Sequence, residues 1–159
     1  MAENAIAVAG RSGIEGLGVA CHREWKLRRV GHVISDFLEM SIRAARGLDG
    51  GCKLGVIEVA PRSGKTVRAA VLAPARALGL DPHLQIVAGC HSRELAGRNV
   101  RDCRQIFQVP SYSDSFRTRI NSTVHAPGQN RIHAEDRAAM FRTLYMTKQG
   151  EVAAGDGYY

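Results

Sequence analysis

Val56-Ile57-Glu58-Val59-Ala60-Pro61-Arg62-Ser63-Gly64-Lys65-Thr66 carries a short β-branched run into a loop that ends in Gly-Lys-Thr. Ile57 and Val59 alternate with Glu58, which predicts a strand. Val67 to Leu80 is rich in Ala, Leu and Arg and has no Gly before Gly79, which predicts a helix. A strand, a tight loop and a helix in that order form a phosphate cradle. Gly64 lets the backbone approach an anion, Lys65 reaches β and γ phosphates, and Thr66 offers a hydroxyl to magnesium. Unpaired N–H groups of the first helical turn supply the remaining donors, aided by the positive end of the helix dipole. The pattern Gly-x4-Gly-Lys-[Ser/Thr] is met at every position but the first, where Val59 stands. The competing reading is a basic surface loop.

Upstream, Met1 to Ala20 mixes Gly, Ala and single charges without a sustained period and reads as a loose N-terminal extension (1–20). His22 to Arg46 then spaces Trp25, Val30, Ile34, Phe37, Leu38 and Ile42 as on one face of a helix, and Gly47-Leu48-Asp49-Gly50-Gly51 ends it. Downstream, Asp81-Pro82 marks a turn, Leu84 to Ala88 a second core strand, and Ser92 the N-cap of a helix running to about Phe107. That helix carries Arg93, Arg98, Arg101 and Arg104 on its polar face. They read either as a solvated face or as contacts to DNA phosphates. Pro110 to Glu135 shows no period and reads either as an irregular loop or as broken strands. Met140 to Thr147 resumes strand character, Gln149-Gly150 reads as a hairpin turn and Glu151 to Ala154 as the returning strand. Alternating helices and strands predict an α/β fold, a three-layer sheet with right-handed crossovers.

The 159 residues carry 22 Lys and Arg against 15 Asp and Glu, a net charge of +7, and the isoelectric point is near 9.7. Such a field favours polyanions, either nucleotide phosphates or nucleic acid. Hydrophobic residues make up 45%, enough for a core without staples. Cys21, Cys52, Cys90 and Cys103 form no Cys-x-x-Cys pair, which argues against a zinc site or a disulfide framework and fits a reducing compartment. No apolar run approaches the length of a membrane span, so a soluble intracellular protein is expected.

Ala60-Pro61-Arg62-Ser63-Gly64-Lys65-Thr66 resembles the variant phosphate loop of phage terminase large subunits, of the form Pro-Pro-Arg-x-Gly-Lys-Ser. Leu84 to Ala96, with its Ser92-Arg93-Glu94-Leu95-Ala96, is similar to the segment that follows in that family, and Pro110-Ser111-Tyr112 with Phe116 is a weaker echo. Ala154-Gly155-Asp156-Gly157 resembles the stretch before the family's Walker B strand. Ala60 and Thr66 depart from the pattern. The resemblance implies a P-loop NTPase-type domain that binds ATP with magnesium and drives viral DNA into procapsids. In that setting Lys65 and Arg62 are the catalytic candidates, with Arg62 acting on transition-state charge. Pro61, Arg62, Ser63, Gly64, Lys65 and Thr66 would hold the nucleotide, Thr66 the magnesium, and His22 with Trp25 would lie near the adenine. Trp25 as a plain core anchor is the alternative there. By the same resemblance the partners are double-stranded DNA, portal protein and the terminase small subunit, with no membrane, in the cytoplasm of a phage-infected or prophage-bearing bacterial host.

After Ala154 no apolar run ends in Asp-Asp or Asp-Glu, and no acidic nuclease cluster follows. The expectation is therefore a partial ATPase domain over residues 21–159, either a fragment, a split gene or a remnant, that binds ATP without useful turnover. Asp156 sits between Gly155 and Gly157 and is not promoted to a magnesium ligand. His125 and His133 near Glu135 and Asp136 lack metal-ligand spacing and read as a polar loop. The alternatives are a non-catalytic nucleotide- or nucleic-acid-binding remnant and a fragment of another P-loop NTPase such as a helicase.

Overall fold

A computed structural model describes residues 8–22, 25, 26, 29–48, 51, 53–121, 141–147 and 150–158. Its elements are α1 (Ile14–Cys21), α2 (Arg29–Ala45), α3 (Lys65–Val67), a π turn (Arg68–Leu72), α4 (Ala73–Leu80), α5 (Arg93–Gln108), α6 (Pro110–Ser115), β1 (Thr118–Asn121), β2 (Phe141–Thr147) and β3 (Gly150–Tyr158).

The axis of the fold is the continuous helical stretch 65–80, made of α3, the π turn and α4. Its middle is widened because Pro74, early in α4, has no N–H to return to the preceding turn, and its ring crowds that turn; a π turn relieves the crowding. Around this axis, Val71, Leu72, Ala75 and Leu78 pack against Ile14 and Leu17 of α1, Ile42 of α2, and Val100, Cys103 and Phe107 of α5. Each fully buried Leu or Ile there contributes about 2 kcal/mol of apolar transfer. Tyr112 of α6 is buried beside Phe107 and Phe116, and its hydroxyl donates to the Ala75 carbonyl at 2.8 Å. Thr118 opens β1 by donating its hydroxyl to the Leu78 carbonyl at 2.9 Å, which ties the strand to the end of α4.

Three expectations change. Residues 1–20 read as a loose extension, yet Ile14–Cys21 is a helix with Ile14, Leu17 and Cys21 in the core. Its glycines disguise it: a side chain at Gly18 would occupy the space taken by the Trp25 ring. The helix expected from His22 starts at Arg29, leaving Trp25 outside it. Within the segment from Pro110 read as a loop or broken strands, Pro110–Ser115 is a helix, while β1 fits the broken-strand alternative and 122–140 lie outside the described residues.

The hairpin at the C-terminal side forms, but Gly150, read as part of the turn, opens β3, and the returning strand runs past Ala154 to Tyr158. β2 lies between β1 and β3 in an antiparallel three-stranded sheet, with Thr147 opposite Gly150 and irregular register around Thr143. The two segments read as core strands behave differently. Residues 55–60 and 84–89 form no ladder, yet their burial alternates with the two-residue rhythm of strands. Ile57, Val59, Leu84, Ile86 and Ala88 are partly buried, whereas Val56 is 81% and Val87 82% exposed. Among the described residues they pair with no neighbour beyond an isolated bridge at Ile86. They keep the facing of strands without a ladder, since among the described residues no strand lies alongside them to complete one.

Candidate phosphate-binding loop

The loop Pro61–Thr66 bends through two left-handed residues, Arg62 at φ 62° and Gly64 at φ 83°. Glycine adopts that region freely. Arginine pays about 1 kcal/mol for it, so its presence marks a loop held by its surroundings. Gly64 caps α3 and brings no side-chain hydrogen bond to the first turn, so no cap side chain competes for those N–H groups. Lys65 and Thr66 stand exposed at the start of the helix, and Pro61 and Arg62 are exposed on the loop. The Ser63 hydroxyl is buried and has no partner among the described residues. This donor set of open first-turn amides, an orphan hydroxyl and an exposed ammonium suits an anion and fits a phosphate. Thr66 is the one loop side chain with a hydroxyl at the position suited to magnesium. Among the described residues no group of three or more His, Cys, Asp or Glu gathers as a metal site. A magnesium ion bound through phosphate oxygens and water would not require one.

Beneath the loop lies a polar cluster that sequence reading passes over. Arg68, four residues beyond Gly64, is only 2% exposed. Its Nε and Nη2 donate to Glu15 of α1 at 2.6 and 3.2 Å, a fork onto one carboxylate. The same carboxylate accepts from Trp25 Nε1 at 3.1 Å and from the Ser35 hydroxyl at 2.7 Å. The guanidinium lies 4.3 Å from the Trp25 ring, a cation–π contact. Burial raises the Glu15 carboxyl, but the hydrogen bonds from Arg68 and Ser35 and the charges of Arg68 and His32 outweigh it, holding the group below its ordinary range.

His22 and Trp25 meet edge to face, with ring centroids 5.9 Å apart. His22 also lines a cleft of about 390 Å³ shared with Cys21, Val67, Val71, Asp102 and Ile106. Val67 directly follows Thr66, so this cleft begins at the first turn of the loop helix. The His22 Nδ1 atom is buried without a partner among the described residues. Cys21 offers no thiolate there, since burial pushes it up to about 11. The structure thus gathers Ser63, Gly64, Lys65 and Thr66 at one helix start, with His22 and Trp25 on the flank of the same helix.

The Ser92 N-cap is present, accepting from the Leu95 N–H at 3.3 Å, and α5 ends at Gln108. Arg93, Arg98 and Arg101 are exposed on it and Arg104 is half-buried, with Arg98 3.8 Å from Glu94. Cys21, Cys90 and Cys103 are free thiols, and Cys52 lies outside the described residues, as do His125, His133, Glu135 and Asp136. Among the described residues no helix is long and apolar enough to cross a membrane. Compared with protein-family models, curated proteins and solved structures, the chain matches none of them.

Proposed function

We propose that this chain is the ATP-binding portion of a phage terminase large subunit, the motor that packages viral DNA into procapsids. The observation that carries the reading is the loop itself: left-handed Arg62 and Gly64 deliver Lys65 and Thr66 to an uncapped helix start. A P-loop NTPase-type α/β domain draws support from two segments with strand-like burial, 55–60 and 84–89, each of which leads into a helix. ATP, when bound, would supply the triphosphate, with magnesium held on the Thr66 side. The chain's residues do the holding. First-turn N–H groups would donate to phosphate oxygens, Lys65 would neutralise β and γ charge, Thr66 would offer its hydroxyl to the metal, and Arg62 would act on the charge that develops. The cleft beside His22 has the volume of a small-molecule site.

A non-catalytic nucleic-acid-binding role is the second reading, favoured by exposed Arg93, Arg98 and Arg101 along α5. Calorimetric titration with magnesium and ATP separates the two. The packaging reading expects saturable binding that Lys65→Ala removes and that charge reversal at Arg98 and Arg101 leaves alone. Equal affinity in wild type and Lys65→Ala would discard it.

A further inference from the structure

We propose that Arg68 is a positioning residue for the phosphate loop, and that Glu15 and Trp25 fix Arg68 so that helix α1 sets the shape of the anion site. The inference rests on the phosphate-binding reading of the loop.

Three sides of the guanidinium are already taken. Glu15 forks onto Nε and Nη2; the Trp25 ring covers one face; and Gly31 of α2 approaches so closely that any side chain there would run into the group. The remaining nitrogen, Nη1, faces the loop. It reaches the Ser63 carbonyl at 3.5 Å, and a Cβ on Gly64 would stand 2.5 Å from it. Gly64 is therefore constrained twice, by its positive φ and by the guanidinium beneath it. A loop with two left-handed residues and no side-chain cap needs support from below, and Arg68 is the group that supplies it.

The charge balance explains why the role is positional. Glu15 neutralises Arg68, so the pair adds little net field to the site, while its fixed geometry decides where the Ser63–Gly64 backbone sits. Lysine keeps the charge but cannot fork onto the carboxylate and reach the loop together. Trp25 is the single tryptophan of the chain. Because it touches Arg68, it reports any anion-induced adjustment of the loop.

The test uses the 159-residue chain, inorganic tripolyphosphate with magnesium as the probe, and calorimetry alongside Trp25 emission. Wild type should bind with a fluorescence change at the calorimetric midpoint. Arg68→Lys, folded by circular dichroism, should bind about tenfold more weakly, the loss of one charge-assisted hydrogen bond. Glu15→Gln should weaken binding in the same direction. Arg76→Lys, a buried arginine on the same helix far from the loop, should leave affinity within twofold. Wild-type affinity in folded Arg68→Lys overturns the proposal; if Lys65→Ala still abolishes binding, the loop reading survives that result. Binding without any change in Trp25 emission overturns it too and needs no variant to fold. Tripolyphosphate binding that is absent, or indifferent to Lys65→Ala, removes the loop reading and this inference together.

Discussion

Arg68 and Arg76 sit on one helical stretch, about two turns apart, and each is buried against a glutamate from an earlier helix. Arg76 pairs with Glu39 of α2 and donates to the Arg11 carbonyl at 3.1 Å, while Glu39 also accepts the Ile14 N–H at 2.9 Å. Every group there belongs to helices or their ends, so the cluster staples α1, α2 and α4 together. Arg68 makes the same kind of pair with Glu15, yet its spare nitrogen faces a loop with left-handed backbone and an open helix start. Identical chemistry thus serves as a fastener at one end of the helix and as a support for a binding loop at the other. The difference lies in what the nitrogen outside the ion pair donates to, a helix end at Arg11 or the loop at Ser63.

Truncation gives the largest effect and sharpens the contrast. Arg68→Ala leaves the Glu15 carboxylate, 14% exposed, without its main partner, and should cost about 3 kcal/mol of unfolding free energy. Arg76→Ala should cost less, since the Glu39 side chain is 25% exposed and water compensates it. Denaturant titrations of both, together with Glu15→Gln/Arg68→Met, check the ranking. The paired replacement should recover part of the loss, and a larger penalty at Arg76 would break the distinction between the two clusters.

Acid should produce a smaller, graded effect. The folded Glu15 carboxyl lies below its ordinary value of 4.5, so it binds protons less readily than in the unfolded chain. Its stabilisation is complete above that ordinary value and is lost as pH falls through the lower folded one. Thermal melts across this acidic window should decline more steeply for wild type than for Glu15→Gln. Parallel declines would mean that Glu15 does not carry the acid sensitivity assigned to it.

What the sequence disclosed follows the same division. The loop, the Ser92 cap and the presence of a hairpin after 140, though not the extent of its second strand, were legible because each depends on local residue types: Gly in a tight turn, a hydroxyl before a helix, strand formers on either side of a turn. Glu15 and Arg68 were not. Glu15 sits among Gly13, Gly16 and Gly18, a composition typical of loose chain, although close packing against Trp25 is what requires Gly18. Arg68 looks like any arginine on an alanine-rich helix, and only the tertiary arrangement shows that its position faces inward. The segments 55–60 and 84–89 show the converse: their alternation predicts which side is buried, but hydrogen-bonded neighbours are a property of the assembled sheet.

Phosphate binding at the start of the loop helix can be read residue by residue in an amide-resolved NMR titration with magnesium and ATP. The largest shifts should fall on the backbone N–H groups of Ser63, Gly64, Lys65, Thr66 and Val67, with a smaller response at the Trp25 indole through Arg68 and little change along α5. Shifts confined to Arg93, Arg98, Arg101 and Arg104, with the 63–67 amides unmoved, would contradict it and assign the anion to the basic face of α5.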